Sequence, residues 1–205
     1  MTYTSDLKNE NRKISRKEQA MNTRMHILKV TMELFREKGA ESVKISDICE
    51  ATGISCGAFY HHFKSKENII QSGYKSIDDY LEERAKKLPS GSCTQRLLDF
   101  FALSNDAMEK MGWLFISNAY RYILQTHDKY TISRERFPYV YICGILTEGQ
   151  ESGEFRSDFD AAAFTSYLMT LVRGLTFDWC VCEGSYSLTG KALQTVRLAI
   201  REIEG

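Results

Sequence analysis

The chain has 205 residues, 43% hydrophobic and 26% charged, enough for one substantial core or a small domain on a larger one. No apolar run approaches the roughly 20 residues of a membrane span, and the polar start MTYTSDLKNENRKISRK lacks a signal peptide's apolar core, so a cytoplasmic location is expected. Formal net charge is zero, which taken alone argues against nucleic acid, yet residues 1–66 hold 12 Lys/Arg and 8 Asp/Glu while residues 67–205 hold 15 and 19. A basic head on an acidic body is what a chain shows when one end meets phosphate, although a solvated charged tail gives the same count.

Only Pro89 and Pro138 interrupt the chain, so long helices are permitted nearly everywhere and an all-α fold is expected. Residues 1–20 form a polar tail with Lys8, Arg12, Lys13, Arg16 and Lys17 as its basic members. It reads either as a flexible leader or as a basic arm for a neighbouring minor groove. The first helix is expected over residues 22–38, with Ile27, Thr31, Leu34 and Phe35 on one apolar face and Gly39 ending it.

Residues 46–66, SDICEATGISCGAFYHHFKSK, read as two short helices around a glycine turn. Ser46 is the expected N-cap of the first, with Asp47 favouring the positive end of the helix dipole and Ile48 and Cys49 facing inward. Gly53 supplies the left-handed turn, Ile54 plugs the corner, Ser55 caps the second helix, and Cys56, Gly57 and Ala58 keep its first turn slim enough for a major groove. Phe59 and Phe63, four apart, share the inward face and leave Tyr60, His61 and Lys64 as outward donors suited to phosphate oxygens or base edges.

The segment GISCGAFYHHFKSKENII resembles the recognition-helix signature of the TetR (tetracycline-repressor) family of bacterial transcription regulators, a Tyr and a neighbouring His or aromatic, a Phe, then a Lys three residues on. The preceding helix is in register at Ile27, Leu28, Leu34, Phe35, Gly39 and Ile48, while Thr31, Cys49 and Thr52 stand where Ala is usual. The motif covers about the first third of the chain; beyond it the likeness rests on length, helical pattern and the stretch EGQESGEF at 148–155. The resemblance implies a helix-turn-helix DNA-binding domain over residues 21–66 and a helical effector-binding and dimerisation domain over 67–205. It also implies that Lys44, Ser46, Ser55, Cys56, Tyr60, His61 and Lys66 face DNA, with Tyr60 and Lys66 on phosphates and His61 on a phosphate or base edge.

The next helix, capped by Ser65 and running to about Leu88, joins head to body. In the resembling family a small swing of this connector changes the spacing of two heads on DNA; a rigid linker has the same sequence. Residues 94–127 give one or two helices with Gly112 as the corner, crowded with Phe100, Phe101, Met108, Met111, Trp113, Phe115, Tyr120 and Tyr122. Each suits plain core; together they suit an apolar cavity with a few polar handles. A long helix is expected from Ile132 to Gly153, with Pro138 kinking it or marking its start. Ser157-Asp158 signals another, apolar on more than one face, which is expected to pack against a second copy of the chain. A last amphipathic helix is expected over residues 188–203.

No H-E-x-x-H, G-x-S-x-G or phosphate-cradling glycine loop is present, the four histidines are scattered, and the six cysteines lack metal-ligand spacing, so neither an enzyme nor a metal or cofactor site is expected. The sequence reads as a ligand-responsive repressor that binds a palindromic operator as a homodimer and leaves it when an apolar or aromatic effector binds. The expected effector walls are Trp113, Tyr120, Tyr122, Tyr141, Tyr167 and Phe177. The alternative is an all-helical ligand-binding or adaptor protein whose helix-turn-helix packs on protein.

Overall fold

The computed structural model describes residues 16–39, 42–65, 68–126 and 129–204. Among these the elements are α1 (Arg16–Lys38), α2 (Ile45–Thr52), α3 (Cys56–His62), α4 (Asn68–Ala85), α5 (Cys93–Met111), α6 (Trp113–Thr126), a 3-10 turn (Tyr130–Ile132), α7 (Phe137–Ser152), α8 (Ala161–Val181) and α9 (Leu188–Arg201). The fold is all-α, a three-helix head followed by a larger helical body.

Helix α1 starts six residues before the expected residue 22, so Arg16–Ala20 belong to it and not to a tail. These residues carry no apolar period but are strong helix formers, and propensity extends a helix that packing has already nucleated. The expectations for Lys8, Arg12 and Lys13 lie outside the described residues. Two adjacent stripes of α1 are buried, Ile27 with Thr31 and Leu28 with Met32. The Thr31 hydroxyl donates to the Ile27 carbonyl at 2.8 Å, which satisfies it in the core.

Other boundaries shift for local reasons. Helix α4 closes at Ala85, where the Lys87 and Leu88 amides bond back three residues to Arg84 and Ala85. Gly112, at φ +88°, makes the expected corner between α5 and α6. Helix α7 begins at Phe137, five residues after the expected start, with Pro138 in the first turn where a missing N–H costs nothing. Helix α8 is capped by Asp160, whose Oδ1 accepts from the Ala163 amide at 2.8 Å, and not by Ser157-Asp158. Helix α9 ends at Arg201, and the buried Ile203 beyond it accepts from the Arg156 amide at 2.8 Å.

In the body, α9 lies along α5 and α8, and α7 packs on α4, α5 and α8. Leu97, Phe100, Phe101, Ile142, Leu146, Leu168, Val196 and Ile200 form its core. A second cluster joins head to body: Ile27, Leu28, Met32, Ile48, Phe59 and Phe63 are continuous with Phe115, Ile116, Trp179 and Leu188.

The stretch EGQESGEF ties the body together. Glu154 reaches back to the start of α5, its carboxylate accepting the Cys93 and Thr94 amides at 2.7 Å each, two N–H groups with no partner inside that helix. Burial alone would raise the Glu154 pKa, but the Thr94 and Cys93 amides outweigh it and hold the group below its usual value. Phe155, 2% exposed, packs against Gly149, where a Cβ would stand 2.1 Å from the ring.

Two consequences are measurable by urea unfolding. Gly149→Ala will destabilise the chain by about 1–3 kcal/mol, because the clash with a buried ring exceeds the roughly 1 kcal/mol of helix propensity gained. Glu154→Gln will cost about 1 kcal/mol, as lost helix caps do. Because the folded pKa is depressed, that difference will be full above about pH 5 and will vanish as pH falls through the folded value.

Candidate nucleic-acid interface and ligand cavity

The turn between α2 and α3 is built from backbone bonds. Gly53 adopts φ +67°, its amide bonds to the Glu50 carbonyl at 3.3 Å, and the Ile54 amide bonds to the Cys49 carbonyl at 3.1 Å, the paired closure that ends a helix at a left-handed residue. Ser55 caps α3, its Oγ accepting from the Ala58 amide at 3.1 Å. Ser46 is not the cap of α2: that position is Lys44, whose backbone N–H donates to the Asp47 carboxylate at 2.9 Å, so Asp47 supplies the cap from inside the first turn.

Helix α3 is seven residues long and held from below by two rings. Phe59 and Phe63 are 0% and 1% exposed, their centroids 5.8 Å apart, and the Arg24 guanidinium of α1 sits 5.0 Å over the Phe63 ring. That anchoring turns Tyr60 outward, 56% exposed, and leaves His61, Ser55, Cys56, Ser46 and Lys44 exposed around it. His62 is half-buried; burial, then the charges of His61 and Arg24, lower its pKa and favour a neutral ring. Lys66 lies outside the described residues.

The body encloses a partly open cavity of about 120 Å³. Its walls include Leu28 and Met32 of α1, Ile77 and Leu81 of α4, Phe100, Phe101 and Asn105 of α5, Phe115, Ile116 and Tyr120 of α6, and Met169, Val172, Arg173 and Thr176 of α8. Beside it Asp78 and Arg136, both nearly buried, form a two-point pair at 2.6 and 2.9 Å, and the Tyr130 hydroxyl donates to the same carboxylate at 3.0 Å. Burial, with the Asp78 charge next, pushes the Tyr130 pKa up to about 12.

Of the expected walls, Tyr120 lines this cavity, its hydroxyl directed to the Arg173 carbonyl at 3.4 Å and its pKa pushed up to about 12, first by burial. Trp113 instead packs under Gly184 in the turn after α8, and Tyr141 lies against Phe100 and Phe137 with centroids 4.7 and 5.3 Å away. Tyr167 and Phe177 are 51% and 59% exposed on the outer face of α8. The Tyr122 side chain lies outside the described residues.

A model of bacterial regulatory proteins of the TetR family matches residues 27–72, which cover the second half of α1, all of α2 and α3, and the start of α4. The transcriptional repressor KstR2 of Rhodococcus jostii strain RHA1 is 30% identical over 147 residues, 67% of this chain and 70% of that protein. The chain belongs to the TetR family of bacterial regulatory proteins. Among other TetR-family relatives, the regulator AcrR of Shigella flexneri is 42% identical over 67 residues, 33% of this chain and 31% of that protein. The repressor FadR of Thermus thermophilus, solved in complex with lauroyl-CoA, shares the fold at a TM-score of 0.61, 20% identity, and coverage of 86% of this chain and 93% of that one. This TetR-family chain is thus a transcription regulator with a helix-turn-helix head.

Sequence reasoning yields no expectation of Arg136, Arg173, Leu28 and Met32 as cavity residues, nor of Asp78 as the partner of Arg136 beside it. A signal existed for Arg173, a charge in the middle of the otherwise apolar run AAAFTSYLMTLVRGLTF. None existed for Leu28 and Met32, because a second apolar stripe beside the first looks like one wide face.

The division of labour on α3 is testable by thermal unfolding. Phe59→Ala will cost about 3–5 kcal/mol, as the loss of a buried ring does. Tyr60→Ala, removing an exposed ring that meets Phe59 only edge-on, will cost about 1 kcal/mol or less.

Proposed function

We propose that this regulator is a repressor that holds a two-fold symmetric operator with the α3 helices of a homodimer and releases it when a small, largely apolar molecule fills the body cavity. In this reading residues 21–66 are the DNA-binding unit, residues 67–205 bind effector and partner, and the protein acts in the cytoplasm, where its operator is. Lys44, Ser46, Ser55, Cys56, Tyr60, His61 and Lys66 face the duplex; the exposure of the first six on one rigid corner supports their role.

The observation that carries the switch is that α1 belongs to head and cavity at once. Leu28 and Met32 are cavity walls, while Ile27, on the same turn, is in the cluster that seats Phe59 and Phe63. A space of about 120 Å³ is near the size of an engineered cavity that admits benzene. A larger ligand must therefore displace walls, and those of α1 and α4 move the head with them. Two heads must sit one helical turn of DNA apart, roughly 34–36 Å, so a small displacement breaks the match.

The outer face of α8 supports the dimer. Tyr167, Phe177 and Val181 are exposed along one stripe with Gly174, beside which a Cβ would meet nothing within 4 Å, so a second helix has room to approach. Apolar faces of this kind pair as isologous four-helix interfaces in two-fold dimers.

Selection from random DNA duplexes with the purified chain, at low and moderate salt, tests the reading. The expected result is a two-fold symmetric sequence whose binding weakens steeply with salt and falls about tenfold on Tyr60→Ala. Recovery of no sequence, or full binding by Tyr60→Ala, would overturn it.

A further inference from the structure

The walls of the cavity are mainly apolar, yet they include two guanidinium groups that are not equivalent. Arg136 is neutralised: Asp78 holds it by two hydrogen bonds, and its remaining nitrogen donates to the Thr131 carbonyl at 3.1 Å. Among the described residues Arg173 has no such partner. Half-buried on α8, it donates to the Thr170 hydroxyl at 3.0 Å, and among the described residues no carboxylate pairs with it and no Asp or Glu lines the cavity. Burial lowers its pKa, the phenol of Tyr120 opposes this, and the like charge of Arg136 adds to it, so the group is partly desolvated and, among the described residues, has no carboxylate to balance it. An arginine stays protonated under such stress, which leaves one positive charge beside an apolar space.

A guanidinium that has lost part of its water and gained no anion is complementary to a ligand that brings the anion. We propose that the ligand is an amphiphile, an apolar body set among Phe100, Phe115, Met169 and Val172 with one anionic oxygen group, carboxylate or phosphate, seated on Arg173. This rests on the reading of the cavity as the effector site. It adds an anionic group to the expectation of an apolar or aromatic effector, because a molecule without one leaves the Arg173 charge buried more deeply and without a carboxylate partner.

The full-length protein can be titrated with two fluorescent probes of like ring system, anionic 1-anilinonaphthalene-8-sulfonate and neutral N-phenyl-1-naphthylamine. Binding to the wild type, to Arg173→Gln and to the cavity-filling Ala119→Leu is compared, with thermal unfolding to verify folding. The expected result is that Arg173→Gln weakens the sulfonate probe at least tenfold and the neutral probe less than twofold, whereas Ala119→Leu weakens both. Arg173→Lys, which keeps the charge and loses the fork, will fall between. Displacement of the sulfonate probe by decanoate or by decyl phosphate, and not by decanol, distinguishes a carboxylate from a phosphate ligand. Equal effects of Arg173→Gln on both probes overturn the proposal and leave the cavity reading intact. Insensitivity of both probes to Ala119→Leu removes the cavity reading and the proposal with it. Sedimentation that finds Arg173→Gln dissociating a dimer assigns the charge to a partner's carboxylate and likewise overturns it.

Discussion

The arrangement depends on the burial of both stripes of α1. With Ile27 and Thr31 on one side and Leu28 and Met32 on the next, this helix has no freedom to rotate about its axis without exposing apolar surface. Burying an Ile, Leu or Met side chain stabilises by about 1.5–3 kcal/mol, so Ile27, Leu28 and Met32 together fix the rotation far more strongly than capping or surface charge. Phe59 and Phe63 are seated in the same cluster, and the outward direction of Tyr60 is therefore a consequence of packing two helices away.

That constraint has a counterpart in the body, where polar contacts close loops that apolar packing leaves open. Glu154 caps α5 from 60 residues away, Glu109 holds the start of α9 through Thr189 at 2.7 Å, and Asp78 of α4 fixes Arg136 just before α7. Each is a carboxylate that accepts from N–H, hydroxyl or guanidinium donors of a distant element, so each specifies a geometry that hydrophobic contact alone does not. The cavity lies among these fixed ends, bounded by α1, α4, α5, α6, α7 and α8. Its walls on α1 and α4 are continuous with the packing of the head.

Similarity and geometry contribute different things. The likeness to KstR2 over two thirds of the chain establishes the family, and the exposed corner of α2 and α3 explains why these residue types occur there. The identity of a ligand follows from neither. It depends on which side chains the fold leaves uncompensated, and Arg173 is such a group among the described residues.

Much of the head was legible in the sequence because its signals are local. Gly53 must take a positive φ, Ser55 caps the helix it precedes, and Phe59 and Phe63 are one turn apart, all within about ten residues. Helix ends were less legible, since Asp47 caps from within and Asp160 stands two residues past an equally good Ser157-Asp158 signal; which hydroxyl or carboxylate is used depends on where packing stops the helix. The cavity was legible in part: Phe100, Phe101, Met108, Phe115 and Tyr120, all from the aromatic and sulfur-rich stretch of residues 94–127, line it. Trp113, Tyr141, Tyr167 and Phe177 share its aromatic composition but were assigned by tertiary structure to a turn, a ring cluster and an outer face, because composition states what is apolar and only the packing of helices distant in sequence decides what each apolar group touches.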